Sequence, residues 1–239
     1  MVKQLLIFSL LLFFTGTLQA QTPGPRPKIG LALSGGGAKG LAHIGILKAI
    51  DSAGLKIDFV TGTSMGSIVG GLYALGYSSD SIEKMARSLE WDVLLTNRTS
   101  LRAMIMEEKE EYGKYALELQ LTDKGFKLPT GVLEGEEMWL KLQEMFAPAY
   151  NITDFNRMPV PFRCIATEVS TGNPVVLDHG NLVSSIRASM AIPSVFTAVD
   201  IDGCTLVDGG VVRNFPVQDV RDMGADFVIG SSVSSGLLP

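Results

Sequence analysis

Histidine is scarce in this chain. His43 and His179 are the only two among 239 residues, and Cys164 and Cys204 the only cysteines. None of the four stands in a spacing that resembles a metal site. Each cysteine lies inside a strand-like run, so a disulfide and two buried free thiols both remain open. Positive charge is also in short supply. Lys and Arg number 20 against 25 Asp and Glu, a formal net charge of −5 that becomes −6 without Lys3. This balance excludes nucleic-acid binding by bulk electrostatics. Internal repeats are missing, and so is any long apolar run. The ten residues from Leu5 to Phe14 are about half of what a bilayer-spanning helix needs.

That short run has a purpose of its own. It follows the basic start Met1-Val2-Lys3-Gln4 and precedes Leu18-Gln19-Ala20, which resembles a small-residue cleavage site. Residues 1–20 are therefore expected to be a cleaved signal peptide, with a retained anchor as the alternative, and the stretch has no Cys for lipid attachment. The expected location is periplasmic, outer-membrane-associated or secreted. Residues 21–27 read as a stiff Pro-rich linker. Residues 28–239 suffice for one domain with a substantial core.

The most informative stretch within that domain is Gly62-Thr63-Ser64-Met65-Gly66. It follows the apolar run Ile57-Asp58-Phe59-Val60-Thr61 and opens the helix-like Ser67 to Leu75. Strand, sharp turn and helix is the setting that pushes a serine Oγ out at a helix head, where backbone N–H groups favour developing negative charge. A second cluster, Gly35-Gly36-Gly37-Ala38-Lys39-Gly40, joins the strand-like Lys28–Leu33 to a helical pattern carried by Leu41, Ile44 and Leu47. Successive glycines at such a junction expose N–H groups that bind a phosphate or an acyl-transfer oxyanion.

The same six residues also spell G-x-G-x-x-G, the dinucleotide fingerprint, which requires an acidic residue about 20 positions on at the far end of the next strand. Asp58 has the distance but precedes Phe59-Val60. A Walker A loop fails outright, because Leu41 and Ala42 occupy the required Lys and Ser/Thr positions.

A serine nucleophile needs a base. His43 fits a packed helix face, and His179, in Leu177-Asp178-His179-Gly180, reads as a solvated hairpin turn; no histidine follows it. Asp208-Gly209-Gly210, after the strand Cys204–Val207, is the stronger candidate, although Asp-Gly is also a common turn dipeptide and Asp202-Gly203 is expected to be one. Elsewhere, Asp80-Ser81-Ile82-Glu83 reads as a capping box. Residues 115–121 alternate as a strand before a turn at 123–125, and 134–146 are amphipathic. The charge run 107–111 reads as a solvated helix. Met85, Met138 and Met145 read as packing residues.

The glycine cluster, Gly62 to Gly66 and Asp208 to Gly210, in that order, resemble the three signature blocks of the patatin-like phospholipase family. Arg187-Ala188-Ser189-Met190-Ala191-Ile192-Pro193 resembles a further block of bacterial members, and the likeness extends over residues 28–230. The resemblance implies a three-layer α/β/α fold with a mostly parallel central sheet. It also implies a Ser-Asp dyad that hydrolyses carboxylic esters of phospholipids or related acyl lipids, without calcium or any other cofactor, and a membrane surface as the source of substrate. By transfer, Ser64 is the nucleophile, Asp208 the general base, and the Gly35 to Gly40 backbone the oxyanion hole. Lys39 adds positive charge beside the intermediate or a phosphate head group, or is a surface lysine. Some bacterial members continue into a C-terminal module and an outer-membrane β-barrel, and a chain stopping at Pro239 fits a piece of such a protein. The competing classes are a nucleotide-binding module and a catalytically silent lipid-binding domain.

Overall fold

The computed structural model describes residues 24, 26–91, 94, 120–122, 125–127, 131–133 and 135–233. The expected signal peptide, most of the expected linker, the charge run at 107–111 and most of the strand expected at 115–121 lie outside the described residues.

A mixed seven-stranded sheet forms the centre. Its strands are β1 (Ile29–Leu33), β2 (Phe59–Thr63), β6 (Phe162–Glu168), β7 (Pro174–Leu177), β9 (Val199–Ile201), β10 (Cys204–Asp208) and β11 (Phe227–Ser231). Two small pairs accompany it: β3 (Gln120–Thr122) with β4 (Gly125–Lys127), and β5 (Gly131–Leu133) with β8 (Ser194–Phe196). The helices are α1 (His43–Ser52), α2 (Met65–Ala74), α3 (Ser79–Ser88), α4 (Glu136–Met145), α5 (Leu182–Ser189) and α6 (Val217–Asp222).

Strands β11, β1, β2 and β6 run parallel in that order. β7 and β10 each pair antiparallel with β6, and β9 pairs antiparallel with β10. The parallel strands are near-continuous apolar runs because both faces are covered. Leu31 and Leu33 are fully buried, and Leu33 reaches the α2 face at Gly70. Gly30, pointing the other way, lies under Val220 of α6. Helices therefore cover both faces, giving three layers, α/β/α.

The registers reveal an unusual placement. Ile165 of β6 pairs with Thr63 on one side and Val176 on the other, and the next residue, Ala166, pairs with Asp208 and Val175. β7 therefore runs along one side of β6, while β2 and β10 lie end to end along the other. They approach from opposite directions, and their carboxyl ends meet between Ile165 and Ala166.

Several local expectations shift. β2 runs two residues past the expected end, so Gly62 and Thr63 belong to the strand. Ser78, whose Oγ accepts from Ser81 N–H, caps α3 in place of the Asp80 box. The glycine loop continues as a 3-10 turn, Gly37–Ala42, before α1 begins. Asp178-His179-Gly180 is not a hairpin turn. The β6–β7 reversal occurs earlier, between Glu168 and Pro174, and the segment leads from β7 into α5. Asp202-Gly203 does turn β9 into β10, with φ of 51° and 81°, as a tight primed hairpin requires. Met138 and Met145 are buried in the core, and Met85 packs against it.

Candidate active site

The meeting of β2 and β10 brings Ser64 and Asp208 together across 144 residues of sequence. Ser64 Oγ donates to Asp208 Oδ2 at 2.7 Å, and both residues are buried. Ser64 follows β2 directly and precedes the first turn of α2. Its φ of 53° and ψ of −124° lie outside the usual regions for a non-glycine residue, and such strain persists only where neighbours hold it. The carbonyl of Ser64 accepts from Ser67 N–H, Ile68 N–H and Ser67 Oγ, which fixes the turn from the helix side. Glycine at position 66 is required sterically, since a Cβ there would stand 2.5 Å from Leu33 O and 2.6 Å from Ser34 O. The helix head can therefore press directly on the strand β1 exit.

Asp208 ends β10 and opens the 3-10 turn Gly209–Val211. Its second oxygen, Oδ1, accepts from Gly210 N–H at 2.7 Å, its own N–H donates to Ala191 O at 2.8 Å, and its carbonyl accepts from Thr167 Oγ1 at 3.0 Å. Burial pushes the carboxyl above its ordinary value of 3.8, partly offset by the Gly210 and Ser64 hydrogen bonds. Among the described residues, no cation pairs with it.

The glycine loop lies over this pair. A Cβ on Gly35 would clash with Asn214 Oδ1 and come within 3.1 Å of Ser64 Cβ, so the backbone passes at close approach. Gly35 N–H donates to Asn214 O at 3.1 Å, and Asn214 Nδ2 reaches back toward Gly35 O at 3.4 Å. Lys39 N–H donates to Gly36 O. These two amides are already committed, one to Asn214 and one within the loop, which narrows the expectation that the whole segment from Gly35 to Gly40 offers donors. Gly36, Gly37 and Ala38 have no acceptor for their N–H groups among the described residues. Met65, the first residue of α2, is in the same position. Gly40 is buried against Met65, and the Lys39 side chain is exposed.

The two histidines separate cleanly. His43 is fully buried, with Nε2 2.8 Å from Ser34 O and Nδ1 2.8 Å from Ser231 Oγ. A carbonyl can only accept, so the proton sits on Nε2 and Nδ1 accepts from Ser231. Burial pushes its pKa below 6.5, and the imidazole ties the start of the glycine loop to the end of β11. His179 lies beyond Leu177, which pairs with Cys164 toward the amino end of β6, while Ser64 is at the opposite end of the parallel strands. It is exposed, and Asp178 beside it raises its pKa.

Asp58 sits at the amino end of β2, where it accepts from Ile29 N–H and pairs with Arg26. It is remote from the glycine loop, so the dinucleotide reading loses its acidic residue. Both cysteines are free thiols: Cys164 is buried in β6 and Cys204 partly exposed at the start of β10. No cluster of His, Cys, Asp and Glu suited to a metal occurs among the described residues.

A family model described as patatin-like phospholipase matches residues 31–221. The chain belongs to the patatin-like phospholipase family. An NTE family protein of Mycobacterium tuberculosis is 31% identical over 208 residues, covering 87% of this chain and 49% of that protein. A protein named lysophospholipase NTE1 from Yarrowia lipolytica is 34% identical over 207 residues, 87% of this chain and 13% of that protein. The chain thus spans about half the length of the first of these relatives and a much smaller part of the second. Among solved structures, VipD from Legionella pneumophila superimposes with a TM-score of 0.50 at 16% identity, over 80% of this chain and 47% of that one. The likeness of fold is therefore retained at low identity.

Within this patatin-like domain, Asn214 escaped the sequence reading. Six residues beyond Asp208, it joins the aspartate turn to the glycine loop. No local pattern marks it, because its contact with Gly35 spans 179 residues.

Proposed function

We propose that the protein is a serine hydrolase that cleaves carboxylic esters of phospholipids or related acyl lipids through an acyl-Ser64 intermediate. The observation that carries this reading is the buried 2.7 Å contact from Ser64 Oγ to Asp208 Oδ2. Asp208 accepts the Ser64 proton as Oγ attacks the ester carbonyl carbon. Negative charge then develops on the former carbonyl oxygen, where the N–H groups of Gly36, Gly37, Ala38 and Met65 are the available donors. Collapse of the tetrahedral intermediate expels the alcohol, which takes the proton from Asp208. Water then attacks the acyl-serine, with the same carboxylate as base, and the fatty acid leaves.

An ordinary carboxylate is a weak base for a hydroxyl. Two features compensate. Burial raises the Asp208 pKa, so the affinity of the carboxylate for the Ser64 proton increases. Preformed backbone donors add stabilisation that needs no reorganisation, and the loss of one such donor typically lowers kcat by about a hundredfold or more. Neither step calls on a metal or a histidine. The reading places the enzyme at a lipid surface after export through residues 1–20.

The test is hydrolysis of a chromogenic medium-chain acyl ester by the purified protein in excess chelator, alongside Ser64→Ala and Asp208→Asn. Turnover lost in both variants and unaffected by chelator is the expected result. Turnover that survives in Asp208→Asn would overturn the assignment of the base.

A further inference from the structure

The segment that ends α5 contacts both members of the Ser64–Asp208 pair. Ala191 O holds the N–H of Asp208 at 2.8 Å. Two residues earlier, Ser189 Oγ accepts from Ser64 N–H at 3.0 Å and donates to Ile165 O at 2.6 Å. Ser189 has no exposed surface.

The register explains why a hydroxyl stands there. Thr63 pairs with Ile165 in the parallel β2–β6 ladder, so the next rung would run directly from Ser64 N–H to Ile165 O. Ser64 leaves the sheet at that residue because its φ of 53° turns the chain toward α2. The rung opens, and the Ser189 hydroxyl fills it as a one-atom bridge that uses one lone pair and its single proton. On the far side of the opening, Asp208 begins its own pairing with Ala166. The hydroxyl therefore sets how far the end of β2 stands from β6, and so where Ser64 Oγ points relative to Asp208. Without it, a buried N–H and a buried C=O face each other across a gap, and each gains a partner only by closing that gap. Closure draws Ser64 toward β6 and away from its 2.7 Å contact with Asp208.

We propose that Ser189 is a positioning residue, whose hydroxyl, inserted between Ser64 N–H and Ile165 O, holds the nucleophile in hydrogen-bonding register with Asp208. The inference rests on the hydrolase reading above and adds the residue that aligns its dyad.

The experiment compares wild type, Ser189→Ala, Asp208→Asn and the double variant by ester hydrolysis and by the rate at which a fluorophosphonate labels Ser64. Ile186→Val, a cavity variant in the same buried helix, serves as the control for a loss of stability. Ser189→Ala is expected to lower kcat and the labelling rate about 10- to 100-fold with KM within about twofold, since misplacement of a reacting atom by about 1 Å costs on that scale. Its acid limb moves to higher pH, because the weakened Ser64 hydrogen bond no longer favours the carboxylate. In the Asp208→Asn background the same change has little further effect. Wild-type kcat in Ser189→Ala, or a fall matched by Ile186→Val, overturns the proposal. A crystal structure of Ser189→Ala decides it independently of substrate choice: Ser64 Oγ is expected beyond hydrogen-bonding reach of Asp208, and an unchanged contact refutes the role. A wild type that neither turns over esters nor labels at Ser64 would instead count against the hydrolase reading.

Discussion

The two ends of the parallel strands use aspartate in opposite ways. At the amino end, Asp58 accepts from Ile29 N–H and pairs with Arg26, and Asp226 accepts from Lys28 N–H at 2.7 Å. The guanidinium hydrogen bond holds Asp58 below its ordinary pKa, and the carboxylate ties strand starts together. At the carboxyl end, Asp208 is buried with a hydroxyl and one backbone N–H as its partners, and burial moves its pKa upward. A carboxylate satisfied by a cation has little remaining affinity for a proton. One satisfied by a hydroxyl and an amide retains that affinity, and it faces the proton that would have to move.

The contrast breaks hardest at the carboxyl end. Ser64→Ala should lower kcat by about 10⁶, the scale seen in serine hydrolases stripped of their nucleophile. Asp208→Asn should lower it by on the order of 10⁴, the scale seen when a carboxylate partner is neutralised without a change of shape. Initial-rate assays at saturating ester check both, and circular dichroism checks that the variants are folded. Asp208→Asn retaining a tenth of wild-type turnover would remove the distinction between the two ends.

Gly66→Ala tests the backbone support of the same end. The added methyl meets Leu33 O and Ser34 O, which belong to a buried strand exit and cannot swing aside as a side chain would. Overpacking of this kind costs about 1–3 kcal/mol. Urea denaturation should show a lowered midpoint with an unchanged slope, accompanied by a loss of activity as α2 is displaced from the glycine loop.

These two ends were not equally legible from sequence. The position of Ser64 between a strand and a helix follows from local pattern, because glycine spacing, the apolar run before it and the small-residue helix after it all act within about fifteen residues. The expected β2 nonetheless stopped two residues short, since Gly62 and Thr63 look like turn residues and only pairing with Cys164 and Ile165 makes them strand. Asp208 was ambiguous with a turn on local pattern, and it was favoured because neither histidine suited the role of base, with the family resemblance then supplying its role. The end-to-end meeting of β2 and β10 along β6 is a contact over 144 residues that no periodicity encodes. Asn214 and the bridging hydroxyl of Ser189 depend on that meeting and were invisible for the same reason. His179 was misplaced because Asp-His-Gly has turn chemistry wherever it stands, whereas the strand reversal was set by β6–β7 pairing upstream.

Two titrations sharpen the contrast more gently. If Asp208 must be ionised to act, activity declines as pH falls through its raised pKa, so the acid limb of kcat/KM lies above 3.8. His43 acts on stability. Its folded pKa lies below the unfolded value of 6.5, so the folded state resists a proton that the unfolded state accepts. Its contribution is complete above pH 6.5 and is eroded as pH falls from there toward the folded pKa. Melting temperatures measured between pH 7.5 and pH 5 should decline in wild type and decline less steeply in His43→Gln, which has no proton to gain. An identical slope in both would show that His43 protonation is not what the acid transition reports.

The smallest effect belongs to the amino end. Asp58→Asn keeps an oxygen for Ile29 N–H but loses the charge that faces Arg26, whose side chain is 46% exposed. Exposed ion pairs contribute little because water and salt already solvate both partners. The melting temperature should therefore fall only slightly, and the difference from wild type should shrink further at high salt. Turnover should not change, since Asp58 and Ser64 lie at opposite ends of β2. Loss of the Asp58 charge removes stability that exists above its unfolded pKa and disappears as pH drops through its depressed folded value, so the two proteins should converge in acid. An Asp58→Asn enzyme with impaired kcat but an unaltered melting temperature would mean that the strand starts also govern the chemistry, and the division between a structural end and a reactive end would fail.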